Sequence, residues 1–272
     1  MMSTLLLAAH GSRDPRFAET ARRVADAVRR ELPAVRVEVA YLDLTEPLIA
    51  DVLADLDGDV VVVPLLFGDG FHSKVDLPAL IDAAIAAAPS LTVTQTPIVG
   101  RYSPVPALID RLAEAGAGPG DGILMTAVGS SDRGSDASTA ERGRELSGAL
   151  GRPVRTLFAT RLGPRGAAVR AAVDDLLAAG AQRIAVSPLF LSAGLLSDRV
   201  EEHLDALGVP LVVAGPVADH PALVRAVVRL HRAESIRAET IRAETIRAET
   251  IGAESIGAAS IRAESPQAAT AQ

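Results

Sequence analysis

Leu5-Leu6-Leu7-Ala8-Ala9-His10-Gly11-Ser12-Arg13-Asp14-Pro15 has a counterpart later in the chain, Ile123-Leu124-Met125-Thr126-Ala127-Val128-Gly129-Ser130-Ser131-Asp132-Arg133. In each, an apolar run ends in a small polar loop, the pattern of a buried strand entering a turn. Further on, Pro64-Leu65-Leu66-Phe67-Gly68-Asp69-Gly70-Phe71-His72 matches Pro188-Leu189-Phe190-Leu191-Ser192-Ala193-Gly194-Leu195-Leu196. A third echo sets Pro106-Ala107-Leu108 against Pro221-Ala222-Leu223. Three matches, in one order and at similar offsets, point to internal duplication of a βα domain. Only the first copy has imidazoles in its two loops. The second has Val128 and Leu196 there. A duplicated fold with its polar chemistry in one copy points to a single active site.

Working outward, strands and helices alternate through both halves. In the first, strands are expected near 5–9, 35–42, 60–66 and 91–98, and helices near 15–32, 47–56, 76–88 and 104–115. Asp14 and Pro15 supply an N-cap and an N1 proline. Val60–Leu66 is an unbroken apolar run, as expected of a strand covered on both faces. Residues 67–75 read as a loop. After the glycine-rich linker 115–121 the order returns, with strands near 122–128, 154–160, 183–189 and 210–214. Helices are expected near 136–150, 164–179, 197–207 and 221–231. The fold class is therefore α/β: two similar domains, 1–115 and 122–232, each a parallel sheet flanked by helices. From 233 to 272 the chain repeats Arg-Ala-Glu-Ser/Thr-Ile. A period of five advances about 500° on a helix, so the isoleucines spiral instead of lining one face. This low-complexity pentapeptide tail reads as disordered or as a frayed helix.

Bulk properties remove whole classes of function. The 272 residues are 49% hydrophobic and 22% charged, with a formal net charge of -7. That leaves no electrostatic footprint for nucleic acid. The absence of cysteine excludes disulfides, thiolate metal sites and cysteine nucleophiles, and fits a cytoplasmic location. No stretch approaches the ~20 apolar residues of a membrane span. Neither Gly-x-Gly-x-x-Gly nor Gly-x-x-x-x-Gly-Lys-Ser/Thr occurs where a nucleotide would need it. Gly11-Ser12 is not a nucleophile elbow.

The chemistry then rests on the loops. In an open parallel sheet, ligands bind beyond the carboxyl ends of the strands. His10 follows the first strand, Asp43 and Glu46 the second, and His72 the third. Two imidazoles with a carboxylate nearby suit a borderline divalent metal, and the same imidazoles accept protons near neutral pH. His203, His220 and His231 read instead as helix or helix-start residues. From the residues alone, the site is a metal or acid–base centre on a duplicated α/β fold.

Ala9-His10-Gly11-Ser12-Arg13-Asp14-Pro15, followed by Pro64-Leu65-Leu66-Phe67 and Gly70-Phe71-His72-Ser73-Lys74-Val75-Asp76-Leu77-Pro78, resembles the sirohydrochlorin chelatases. The likeness covers residues 3–232 and leaves out the tail. It implies two chelatase-like domains (flavodoxin-like or Rossmann-like), the second without catalytic groups. It also implies a lyase-type chelatase inserting Co²⁺ or Fe²⁺ into a sirohydrochlorin-type tetrapyrrole, in cobalamin or sirohaem biosynthesis. The divalent metal is a substrate in this reading, and no organic cofactor, nucleic acid or membrane partner is expected. His10 and His72 would bind metal and take pyrrole protons. Asp43 stands where relatives often carry glutamate, with Glu46 the alternative acid. For a polycarboxylate macrocycle, Ser12, Arg13, Gly70, Phe71, Lys74 and Arg101 are the expected contacts, and Arg133, Arg161 and Arg199 could join from the second half. Val128 and Leu196 are expected on the wall opposite the histidines. Two rival readings remain: a non-catalytic tetrapyrrole or metal carrier, and a small-anion hydrolase or transferase using His10 as base, which a wide separation of His10 and His72 would favour.

Overall fold

Asp14 caps the first helix by accepting a hydrogen bond from the Arg16 amide, with Pro15 at N1. Strand β1 (Thr4–Ala9) and helix α1 (Pro15–Glu31) are joined by this turn. The computed structural model describes residues 4–263, with side chains through residue 244 except residue 242. The first half continues with β2 (Arg36–Tyr41), α2 (Ile49–Ala54), β3 (Gly58–Pro64), α3 (Leu77–Ala87), β4 (Leu91–Gln95) and α4 (Val105–Glu114). The second half runs β5 (Asp121–Ala127), α5 (Arg133–Leu150), β6 (Val154–Phe158), α6 (Ala167–Ala178), β7 (Arg183–Pro188), α7 (Leu195–Asp205), β8 (Leu211–Val213) and α8 (Pro221–Ala263).

Among the described residues each half builds a four-stranded parallel sheet, ordered β2-β1-β3-β4 and β6-β5-β7-β8. The repeat read in the sequence is thus a repeat of topology. Strand β1 is central and both its faces are covered, so every one of its residues is buried. Leu6, Ala8, Val60 and Val62 face α2 and α3, in a core with Ile49, Leu53, Leu77 and Ile81. Leu5, Leu7, Val61 and Val63 face the other way, in a core that also holds Ile123, Met125, Val224 and Val227 from the second half. Each of these leucines is fully buried, and cutting one to alanine costs about 2–5 kcal/mol.

That second core spans both halves because the fourth helix crosses over. Helix α4 packs on β7 and α5 of the second half. Its Arg111 donates to the Pro216 carbonyl at 3.1 Å. From the other side, the Arg229 guanidinium of α8 lies 5.5 Å from the Tyr102 ring centroid. One compact unit therefore runs to His231, and residues from Arg232 form another. The boundaries 1–115 and 122–232 follow chain order, whereas the packing crosses them.

Three stretches differ from the sequence reading. Helix α5 starts at Arg133, three residues earlier than expected, because the Asp132 carboxylate caps it through the Gly134 and Ser135 amides. The loop after β3 is not wholly irregular: His72–Asp76 forms a π-type turn leading into α3. Finally, α8 runs on through the repeats to Ala263. Arg, Ala and Glu are good helix formers, and Glu234 reaches Arg237 one turn on. Ile236 and Ile241 are exposed, as the spiralling period requires. The later isoleucine side chains and residues 264–272 lie outside the described set. No helix among the described residues is long and apolar enough to cross a membrane.

Candidate active site

Strand β1 pairs with β2 on one side and β3 on the other, so the loops after β1 and β3 diverge and leave a crevice. His10 leaves the end of β1. His72 opens the π-type turn beyond β3. Their Nε2 atoms stand 2.8 Å apart, with the rings nearly perpendicular at 86°. Both side chains are half-exposed.

Each ring is backed by a carboxylate on its far side. His10 Nδ1 lies 3.2 Å from Asp43 Oδ1 and 3.2 Å from the Gly11 carbonyl. His72 Nδ1 lies 2.6 Å from Asp76 Oδ2. All three neighbours are acceptors, which favours a hydrogen on each Nδ1. In that tautomer both Nε2 lone pairs face each other at contact distance, an arrangement that a cation held between the rings would satisfy. Two nitrogens each about 2.0–2.1 Å from one ion would stand about 2.9 Å apart at a right angle and about 3.3 Å apart at the tetrahedral angle, and the observed 2.8 Å is near the first. The histidines do not lie far apart, the arrangement that would have favoured the hydrolase or transferase reading.

The acids stand differently from the ligand roles expected of them. The Asp43 carboxylate lies on the Nδ1 side of His10, away from His72, and holds the ring in place. Glu46 is exposed and makes no hydrogen bond or ion pair among the described residues. No group of three or more His, Cys, Asp or Glu gathers to hold a metal among those residues, and the facing Nε2 atoms of His10 and His72 are the candidate nitrogen donors. Asp76 was not singled out from the sequence, although its spacing of four from His72 is a readable signal. It was hidden because residues 67–75 read as a loop.

The loop under His10 is built for close approach. Gly11 has φ +101°, and a Cβ there would stand 1.8 Å from the Asp43 carbonyl oxygen. That proximity lets the Asp43 amide donate to the His10 carbonyl at 3.1 Å. Ser12 is engaged by its backbone with the Thr45 hydroxyl, and its own hydroxyl accepts from the Asp14 amide.

Among the expected cationic contacts, Arg13 is exposed and makes no ion pair among the described residues. Lys74 donates to Asp132 at 2.9 Å, which raises the ammonium above its ordinary pKa and lowers the carboxyl below its own. Arg101 donates to Asp69 at 2.8 Å. Burial works to raise the Asp69 carboxyl, but the bonds from Arg101 and Ser73 outweigh it and leave it lowered. In the second half Arg161 is held by Asp136 and the Ser130 carbonyl. Gly70 approaches that half closely, since a Cβ there would lie 3.2 Å from Ser130 Oγ. Phe71 is 60% exposed, as is its counterpart Leu195 at 65%. Val128 is 45% exposed. Leu196 is half-buried and packs against the second half's own core, so Leu195 is the apolar residue standing free there.

The CbiX family model matches residues 4–115 and again 122–234. A sirohydrochlorin cobaltochelatase of Priestia megaterium is 27% identical over 243 residues, covering 82% of this chain and 76% of that protein. One from Sulfolobus acidocaldarius is 38% identical over 81 residues, covering 28% of this chain and 64% of that protein. Among solved structures, SirB from Bacillus subtilis with Fe³⁺ superposes with a TM-score of 0.72 at 20% identity, over 88% of this chain and 98% of that one. The sirohydrochlorin chelatase SirB from Bacillus subtilis subspecies spizizenii, in complex with cobalt, gives 0.69 at 21% identity, over 85% and 94%. At those identities the structural likeness speaks for the fold.

Proposed function

The chain belongs to the CbiX family, matched through both halves, and on that premise we propose that it is a lyase-type chelatase inserting Co²⁺ or Fe²⁺ into sirohydrochlorin. The observation that carries this reading is the pair of Nε2 atoms 2.8 Å apart, each imidazole backed by an oxygen acceptor. The divalent metal is a substrate held briefly by His10 and His72.

Proton bookkeeping suits the site. A free-base tetrapyrrole gives up two N–H protons as M²⁺ enters. As the ion leaves the imidazoles for the macrocycle, their Nε2 lone pairs become free to take those protons. Asp43 and Asp76 then stabilise the imidazolium rings they already contact. Net charge is conserved, with no redox step and no nucleotide.

In this reading residues 1–115 hold the metal and accept protons, and residues 122–232 close over the macrocycle. Phe71, Leu195 and Val128 offer it an apolar surface. Arg13 is the first hold for a substrate carboxylate, and Lys74 and Arg101 must leave Asp132 and Asp69 to join it. Ser12 and Gly70 shape the loops around it. The same chemistry feeds cobalamin or sirohaem biosynthesis, in the cytoplasm, where the cysteine-free composition is at home.

The test is absorbance-monitored insertion with Co²⁺ and Fe²⁺ side by side, at catalytic protein concentration. The expected result is many turnovers per protein, with His10→Ala and His72→Ala each reducing the rate about 10²–10⁴-fold. Full activity in the double variant, or a single stoichiometric uptake, would sink the reading.

A further inference from the structure

We infer that Asp76 is a positioning residue that fixes the tautomer and orientation of His72 for metal capture, and that the π-type turn exists to join the two. This rests on the function proposed above and deepens it.

Four observations converge. First, the Asp76–His72 contact is 2.6 Å, against 3.2 Å for Asp43–His10, and among the described residues no competing acceptor shares the His72 Nδ1. Second, Asp76 stands at the start of α3 but its carboxylate caps no helix amide, and among the described residues its side chain bonds to His72 alone. Third, His72–Asp76 is a π-type turn, closed by the Leu77 amide donating to the His72 carbonyl. The wider i→i+5 turn sets residues four apart more nearly over one another than an α-turn does, and such insertions recur at functional sites. Fourth, the matching stretch of the second half is regular α-helix from Leu195, with Leu196 for His72 and Val200 for Asp76. The imidazole, the carboxylate and the wide turn are lost together. Ser197, matching Ser73, is kept, and both serines are buried.

The physical effect is specific. Accepting from Nδ1–H leaves the lone pair on Nε2, aimed at His10. Without that acceptor, His72 can carry its hydrogen on Nε2 instead, where it blocks the metal. Orienting partners of this kind are worth about 10–100-fold in metal affinity.

The experiment titrates the full chain with Co²⁺ alone and follows the visible ligand-field bands, then repeats the insertion assay. Asp76→Ala should weaken Co²⁺ binding 10–100-fold, change the band shape and lower kcat/KM in step, with an unchanged melting temperature. Asp76→Asn keeps a carbonyl acceptor and should restore binding to within a few-fold of wild type. Wild-type affinity and spectrum in Asp76→Ala would overturn the inference while leaving the chelatase reading intact. Equal losses in Ala and Asn variants would also overturn it, since an acceptor alone would then not suffice. A wild type that binds neither Co²⁺ nor Fe²⁺ would overturn both readings.

Discussion

The loops at the carboxyl ends of the two sheets share their scaffold and differ in their chemistry. In both, a serine hydroxyl accepts from an aspartate amide two residues on, Ser12 from Asp14 and Ser130 from Asp132, and that aspartate caps the next helix. In both, a left-handed glycine precedes the serine. Backbone hydrogen bonds fix the further equivalences: the Asp43 amide donates to the His10 carbonyl as the Thr160 amide donates to Val128. By this register the array Asp43, His10, His72, Asp76 becomes Thr160, Val128, Leu196, Val200. Four reactive groups are exchanged as a set while the bonds that shape the loops persist. The fold does not need the imidazoles. They are there for another purpose.

The most direct way to break this comparison is to copy the second half into the first. A quadruple variant, His10→Val, Asp43→Thr, His72→Leu and Asp76→Val, should lose insertion down to the uncatalysed rate, a fall of at least about 10²-fold. Its melting temperature should stay within a few degrees of wild type, because the same loop frame already carries those residues. Residual activity, or a collapse of the fold, would show that chemistry and scaffold are not separable.

Next comes Gly11→Ala. The new Cβ would meet backbone at Asp43, whereas at Gly129 it would meet the side chains of Thr160 and Phe158. Both glycines lie at positive φ, so each alanine is strained by about 1–3 kcal/mol. Gly11→Ala should also push Asp43 away from His10. Melting curves and insertion rates of the two alanine variants should diverge, with Gly11 the worse in both. Equal effects would remove the special fit of the first loop.

A smaller effect concerns the ion pairs between the halves. Lys74 of the first half meets Asp132 of the second. Asp198, the counterpart of Lys74, meets Arg16, which also holds Asp14, the counterpart of Asp132. The hydrogen bond from Arg16 holds the Asp14 carboxyl low, as the bond from Lys74 does for Asp132. Groups held low stabilise the fold above the ordinary carboxylate pKa of about 3.9. That contribution is lost as pH falls through their lower folded values. Lys74, held high, contributes fully below about pH 10.4 and loses its share as pH rises further. In a melting-temperature profile, Asp132→Ala should flatten part of the acid limb and part of the alkaline limb. Curves parallel to wild type at both ends would mean the pair contributes nothing.

The smallest effect is expected from the repeats. Truncation after Arg232 should leave insertion and melting unchanged, because every residue of the array lies in the unit that ends at His231. A large loss of thermal stability would assign the repeats a packing role.

Much of this was legible in the sequence. Apolar runs such as Leu5–Ala9 and Val60–Pro64 gave the buried strands, and their shared order gave the duplication. His10 and His72 stood out because their counterparts are apolar. Other features lie beyond periodicity. The His72–Asp76 turn hid because a π-type insertion follows neither the strand nor the helix period. Asp132 was missed as a cap because Arg133 lacks the proline that marked Asp14. Lys74–Asp132 joins residues far apart in the chain, and only the folded register reveals it. The exchange of α4 has no local signal either, since its apolar face reads the same whichever sheet it covers.

That exchange has a consequence for how the protein is made. Helix α4 leaves the ribosome before its resting place exists, because β7 follows roughly 70 residues later. At about 5–20 residues per second, its apolar face waits some 4–14 s for that strand, although α5 emerges sooner. The first half is therefore complete as sequence well before it is complete as structure. Whatever shields Ala107, Leu108 and Leu112 in that interval belongs to the biosynthesis of this protein as much as to its stability.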